Sequence, residues 1–403
     1  MSINITRHEE NKIRLVKTEG YWLYDDDGVK HLDIMSGGAT FTLGYANKRI
    51  AQSVYDSIVT IGRCHTSLGY ITDEVEEMSN FLCSSGGWSG YLWSVTGTGA
   101  VEAAVEILDV YWRTLGEYKP YIVAFGKGWH GTSALTKPMS GMFPKEGSRS
   151  LILNTPVWKT EEDQIVEEDI ALSNLKELLE NNEQIGGVII NPTPWFNGIN
   201  VWSKRFFIEL DKLRKQFNFL IISDDIYACW GKSKSFHGHT TIYPEGVKPN
   251  ISCLGKAITS GYAPLSATVV DEKVKEVTAG KVSYGHTFQP YVGGIAAMKA
   301  TTDIIIEENL LEYSQIIENR LKDIGNRLIQ DGNIKSFRSF GLTAAYDIDE
   351  INTESLNLAG VRGRHYGLSK KLSALPTMRI IAPLIADDEY FYHLENLLRD
   401  ILK

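Results

Sequence analysis

From about residue 90 the chain alternates short apolar runs with stretches of helical periodicity. The runs are YLWSV at 91–95, YIVAF at 121–125, LILN at 151–154, GGVII at 186–190, FLIIS at 219–223, ISCL at 251–254 and SATVV at 266–270. Each is short, rich in β-branched residues and bounded by Gly, Pro, Asp or Asn, the pattern of a strand buried on both faces. Between them lie amphipathic segments, notably AVEAAVEILDVYW after Gly99 and SKRFFIELDKLRKQF from Ser203. Alternating strand and helix predicts an α/β fold around a mostly parallel sheet. Such sheets bind ligands beyond the carboxyl ends of their strands, so the loops after these runs are where function is sought.

The flanks carry a different pattern. GYWLYDDDGVKHLD (20–33) alternates and is punctuated by Gly, which predicts a hairpin. After residue 293 comes a long helical region, then a strand–helix tail ending YFYHLENLLRDILK. Residues 1–60 and 293–403 are expected to form one small domain beside a large domain spanning 61–292.

At 403 residues with 43% hydrophobic positions the chain has room for two cores. A net charge of −9 argues against a general phosphate-backbone binder, which needs clustered cations, and leaves room for a local anion site. Cys64, Cys83, Cys229 and Cys253 form no C-x-x-C pair, so neither a disulfide framework nor a thiolate zinc site is expected, and a reducing, cytoplasmic setting fits. The polar N-terminus reads as no signal peptide, and no apolar run approaches the roughly 20 residues of a membrane span. The acidic cluster at 161–169 reads as a solvated loop and helix start.

Four strand-ending loops carry chemistry. Thr96-Gly97-Thr98-Gly99 leads into a helix, where free N–H groups favour a phosphate; its plainer reading is a tight turn, and neither the Walker nor the dinucleotide fingerprint is present. Trp129, between Gly128 and His130-Gly131, suits covering a flat ring or, equally, capping the sheet edge. Asp224 and Asp225 end the run FLIIS, where a carboxylate needs a partner, either a ligand or a neighbouring loop. Lys256 directly follows ISCLG; apolar surroundings lower a lysine's pKa and free its amine as a nucleophile, although most lysines after a strand are simply solvated. Taken together, a phosphate cradle, an aromatic cover, a carboxylate and a lysine match the needs of pyridoxal phosphate.

In this combination the chain resembles class III aminotransferases of the fold-type-I pyridoxal-phosphate superfamily over nearly its whole length. The blocks that carry the resemblance are GYWLYDDDGVKHLD…SGG…LGYAN, VTGTGAVEAAVEIL, GKGWHGTS, LIISDDIYACWGK, PNISCLGKAITSGYAPLSA, YGHTFQPYVGGIAA and MRIIAPLIADDEYF, in the family's order. The resemblance implies a seven-stranded, mostly parallel sheet with helices on both faces, plus a small α+β domain from both chain ends. It implies pyridoxal 5′-phosphate as cofactor and transfer of an amino group between an amine or amino acid and a carbonyl or 2-oxo acid. Lys256 takes the place of the Schiff-base lysine, Asp224 that of the partner of the ring nitrogen, and Trp129 that of the stacking aromatic, with His130 beside it. Gly97 and Thr98 correspond to the phosphate anchors, and Thr287 to a residue serving the cofactor of a second copy, which implies a homodimer. Arg379 corresponds to a carboxylate-binding arginine, with a structural ion pair as its plainer role.

The departures also matter. Gly99 stands where the family has an acid, Asp225 replaces a glutamate, and Tyr227 replaces a glutamine on the cofactor's phenolic oxygen. Phe196 aligns with a glutamate that masks the arginine in several ω-amino-acid transaminases, so Trp195 and Phe196 suggest a more apolar pocket. Aminomutase, racemase and decarboxylase chemistry use the same site and stay open on sequence alone. A catalytically silent binding subunit is a further alternative, disfavoured by the retained Lys256 and Asp224. A nicotinamide enzyme is disfavoured by the missing fingerprint.

Overall fold

The computed structural model describes residues 14–64, 68–143, 145–158, 160–347 and 377–402, without the Phe196 side chain. Thirteen strands lie among the described residues: β1 (Leu15–Glu19), β2 (Trp22–Asp25), β3 (Lys30–Leu32), β4 (Gly90–Ser94), β5 (Tyr121–Phe125), β6 (Ser150–Leu153), β7 (Ile185–Ile190), β8 (Leu220–Asp224), β9 (Ile251–Leu254), β10 (Ser266–Val270), β11 (Ser336–Phe340), β12 (Thr343–Asp347) and β13 (Thr377–Ile381). The seven apolar runs become the seven strands β4–β10, in the order β4-β10-β9-β8-β7-β5-β6. β5, β6, β7, β8 and β9 pair in parallel, whereas β10 runs antiparallel to both β9 and β4. All the strands except β10 therefore point the same way, and their carboxyl ends share one edge.

Both faces of the central strands β5, β7, β8, β9 and β10 are covered, which is why these runs are apolar, whereas the edge strands β4 and β6 are part-exposed. Alternate residues face opposite sides. Val123, Phe125, Val188, Ile190 and Ile221 pack with residues of the Glu161–Glu180 and Lys204–Phe217 helices. Ile122, Ala124, Ile189 and Ile222 pack with the Gly97–Thr114 helix. The cluster at 161–169 differs from its expectation as a loop. Thr160 caps the helix and Glu161, Glu162 and Asp163 form its first turn, where carboxylates complement the dipole. Glu168 is fully buried and accepts from the backbone N–H and hydroxyl of Ser203, the cap of the next helix.

The expected hairpin forms, with β2 antiparallel to β3. Beyond it, Asp33 organises a tight turn by accepting from Met35 N, Gly37 N and Tyr45 Oη. Four successive residues, Ser36, Gly37, Gly38 and Ala39, have φ of 43°, 58°, 75° and 71°, one turn of left-handed helix. Such a run is costly for Ser and Ala, and here it is held from several sides. Ser36 Oγ donates to Ile381 O, Ile381 N to Ile34 O and Leu384 N to Thr42 O. β13 belongs to an antiparallel sheet of order β11-β12-β13, so segments from both chain ends meet here. The long helical region resolves into helices Val292–Glu307 and Leu310–Gln330, broken at Asn309, whose φ is 52°.

Candidate active site

The shared carboxyl edge brings four loops together. After β4, the Thr96 hydroxyl caps the Gly97–Thr114 helix by accepting from Gly99 N at 3.0 Å. That leaves the N–H groups of Gly97 and Thr98 at the helix start to an outside acceptor. Gly97 packs closely on Ile226, since a Cβ there would lie 3.0 Å from the Ile226 side chain. The loop after β5 packs on this turn, with Thr132 N donating to Thr98 Oγ1 at 3.3 Å. In the same loop Trp129 is 39% exposed, enough to cover a ligand, while His130 is buried.

At the end of β8, Asp224 is 1% exposed and its Oδ2 lies 2.8 Å from His130 Nδ1. Ile226 N donates to Oδ1 at 3.3 Å, and Asn191 Nδ2 donates to the Asp224 carbonyl. Burying a carboxylate is costly, and these contacts hold it in one orientation. Asp225 points away from this edge; it accepts from Ser223 Oγ, Ser252 Oγ and His239 N and is fully buried.

After β9, Lys256 follows Gly255, where a Cβ would lie 2.7 Å from Ser266 Oγ and would force that side chain to move. Lys256 has a φ of 49°, a left-handed backbone that costs a non-glycine residue about 1–3 kcal/mol. Its ammonium nitrogen lies 5.4 Å from the centre of the Tyr227 ring. Burial pushes the lysine below its ordinary pKa, opposed by the charges of Asp224 and Cys229. Cys229 Sγ donates to the Gly255 carbonyl at 3.2 Å, just before the lysine.

Tyr227 joins these groups to the second set. Its ring is tilted against Trp195 at 5.2 Å, and its hydroxyl is buried without a hydrogen bond at ordinary distance. Arg379, on β13 and 1% exposed, lies 4.7 Å over the Trp195 ring and donates from Nη1 to the Trp195 carbonyl at 2.8 Å. Burial pulls the guanidinium down to about 10, offset by Tyr227. The side chain of Phe196 lies outside the described residues, and its backbone forms part of the Trp195–Asn197 turn. Thr287 is exposed, and its carbonyl accepts from Arg63 Nη2.

Sequence reasoning missed two contributors. Ile226 forms an apolar wall between the helix start and Gly255, and an isoleucine after two aspartates gives no sign of that. Lys232 is 2% exposed, with Nζ 3.0 Å from the Ala39 carbonyl and 5.9 Å from the Tyr227 ring centre. Its only sequence signal was a cation closing the apolar stretch YACWG. Among the described residues no group of His, Cys, Asp and Glu could hold a metal ion, and no helix is long and apolar enough to cross a membrane.

Known proteins resemble this one over its full extent. The profile of the class-III aminotransferase family matches residues 5–402. An acetylornithine aminotransferase from Aquifex aeolicus is 25% identical over 399 residues, 97% of each chain. Ornithine aminotransferase 2 from Staphylococcus aureus is 27% identical over 351 residues, covering 84% of this chain and 82% of that protein. The same fold occurs in the ω-transaminase from Pseudomonas jessenii in complex with PMP. It has a TM-score of 0.87 at 19% identity and covers 99% of this chain and 95% of that one. The seven-stranded sheet with helices on both faces is thus that of the fold-type-I transaminases, and the chain belongs to the class-III aminotransferases, enzymes that depend on pyridoxal 5′-phosphate.

Proposed function

We propose that the chain moves an amino group between an amine or amino acid and a carbonyl or 2-oxo acid, with Lys256 as the reacting amine and Asp224 as the partner of the cofactor's ring nitrogen. The observation that carries this assignment is the meeting, at one sheet edge, of a half-buried lysine, a buried carboxylate and a helix start with two open N–H groups. The donor set fits pyridoxal phosphate. Gly97 N, Thr98 N and the Thr98 hydroxyl suit the phosphate, Trp129 and Ile226 suit the ring faces, and Asp224 suits the ring nitrogen. His130 supports Asp224, and Tyr227 offers its buried hydroxyl to the ring oxygen. When bound, the group supplies an aldehyde that takes up an amine and a ring that accepts electrons as a bond to the substrate carbon breaks.

The chain's own part is proton handling and placement. Asp224, fixed by His130, stays where it can keep a proton on a ring nitrogen. Lys256, its amine lowered by burial, takes and returns a proton at Nζ as general base and acid. Arg379 would receive a substrate carboxylate beside the Trp195 ring.

The same reading makes the working unit a homodimer. Tyr55, Val59, Leu68, Tyr70 and Ile71 are each more than half exposed, as is Phe288 beside Thr287, a surface suited to a second copy. Residues 1–60 and 293–403 would form the small domain against 61–292. Four free cysteines support a cytoplasmic setting.

Lys256→Ala tests the assignment. It should abolish both turnover and the visible chromophore that borohydride reduces. An active, coloured Lys256→Ala protein would sink it.

A further inference from the structure

The first turn of the Gly97–Thr114 helix has a second tether that the proposed chemistry does not use. Tyr284, from the segment before Thr287, donates its hydroxyl to the Gly99 carbonyl at 2.9 Å. Glu102 Oε2 lies 3.3 Å from the same hydroxyl. His286 Nε2 lies 3.0 Å from it on another side, with the two rings nearly perpendicular. A phenol has one proton to give, so once it donates to Gly99, the His286 tautomer that carries its hydrogen on Nε2 can donate to the phenol oxygen. The result is a chain of hydrogen bonds running from His286 through Tyr284 to the backbone of the helix start. His286 is itself held, its N–H donating to Gln289 Oε1 at 2.8 Å.

Glycine at 99 leaves room for this arrangement. A Cβ there would lie 3.3 Å from the Tyr284 hydroxyl and 3.6 Å from His286 Nε2, so the two polar tips occupy the space beside it. Thr96 fixes Gly99 from its N–H side and Tyr284 fixes it from its carbonyl side.

We propose that Tyr284 and His286 are positioning residues for the phosphate end of the cofactor site, acting through the Gly99 carbonyl on the N–H groups of Gly97 and Thr98. The proposal rests on the reading of Gly97 and Thr98 as phosphate anchors. Its signature is selective. Loss of the tether weakens what binds through a phosphate and leaves unchanged what binds through the ring and Lys256.

The experiment compares pyridoxal phosphate with pyridoxal, which lacks the phosphate, as ligands of the apoprotein, followed by the visible absorbance of each. Tyr284→Phe removes one hydroxyl and should weaken pyridoxal phosphate about three- to tenfold, the range for one or two hydrogen bonds. Pyridoxal should stay within about twofold, as expected when the hydrogen bonds at its own end are intact. Inorganic phosphate should also compete less well for the site in Tyr284→Phe. His286→Ala should act in the same direction, and His286→Gln, whose amide can donate to the phenol, should restore affinity. If Tyr284→Phe proves poorly folded, the two His286 variants carry the test, since His286 is exposed. An unchanged ratio of the two affinities, or no rescue by His286→Gln, overturns the proposal. A native apoprotein that takes up neither ligand defeats instead the reading of the site itself.

Discussion

Replacing Lys232 by Met should make the protein more stable below neutral pH and less stable in alkali. Lys232 is 2% exposed, and its amine has one hydrogen bond, to the Ala39 carbonyl at 3.0 Å. Burial lowers it from 10.5 to about 7; Cys229 opposes the change and the charge of Lys256 adds to it. In the unfolded chain the amine keeps its proton up to its ordinary value, so between about 7 and 10.5 the unfolded state binds more protons. Stability therefore rises with pH across that window. Below it both states are protonated and the fold bears the whole penalty, about 5 kcal/mol for a change of that size. Above it the penalty is gone. Methionine carries no charge but leaves the Ala39 carbonyl without its donor, at about 1–3 kcal/mol. The variant should thus exceed the native protein by roughly 2–4 kcal/mol at pH 6.5 and fall below it near pH 10.5. Urea unfolding of both holoproteins at several pH values measures the difference, and groups that do not interact with residue 232 cancel. A difference that does not change sign or slope between pH 6.5 and 10 would refute the argument.

Other expectations concern the site directly. Thr96→Ala removes the helix cap and should cost about 1 kcal/mol, seen as a lower unfolding midpoint. His130→Ala leaves the buried Asp224 carboxylate short of a partner and should cost about 2–3 kcal/mol in unfolding measurements; an unchanged midpoint would show that the pair does not support Asp224. Arg379→Met should lower kcat/KM for carboxylate-bearing donors about a hundredfold and for neutral amines by less than about threefold, so equal losses would remove Arg379 from substrate binding.

The sheet was legible because strands buried on both faces leave apolar runs between turn residues, and β9 and β10 fall on the predicted positions. Asp224 and Lys256 were legible for the same reason, since a charged group at the end of such a run is conspicuous. What lay hidden depends on residues far apart in sequence. His130 meets Asp224 across 94 positions and Lys232 meets Ala39 across 193, and no local pattern encodes either meeting. The left-handed backbones of Ser36, Ala39 and Lys256 were hidden for another reason. Local propensity disfavours them, and only surrounding contacts hold them. The acidic run at 161–169 misled because net polarity masks a single buried member, Glu168, whose partner lies on the following helix.

The junction of Ser36 with Ile381 has a consequence for synthesis. The two residues are 345 positions apart. A ribosome adding about 5–20 residues per second exposes the first long before making the second, on the order of 20–70 s. During that interval Ile34, Met35 and the left-handed turn have no β13 against which to settle. The sheet with Asp224 and Lys256 can form meanwhile, because its strands span residues 90–270. The order of synthesis thus leaves an interval in which the central sheet can be complete while the apolar N-terminal segment still lacks its partner strand.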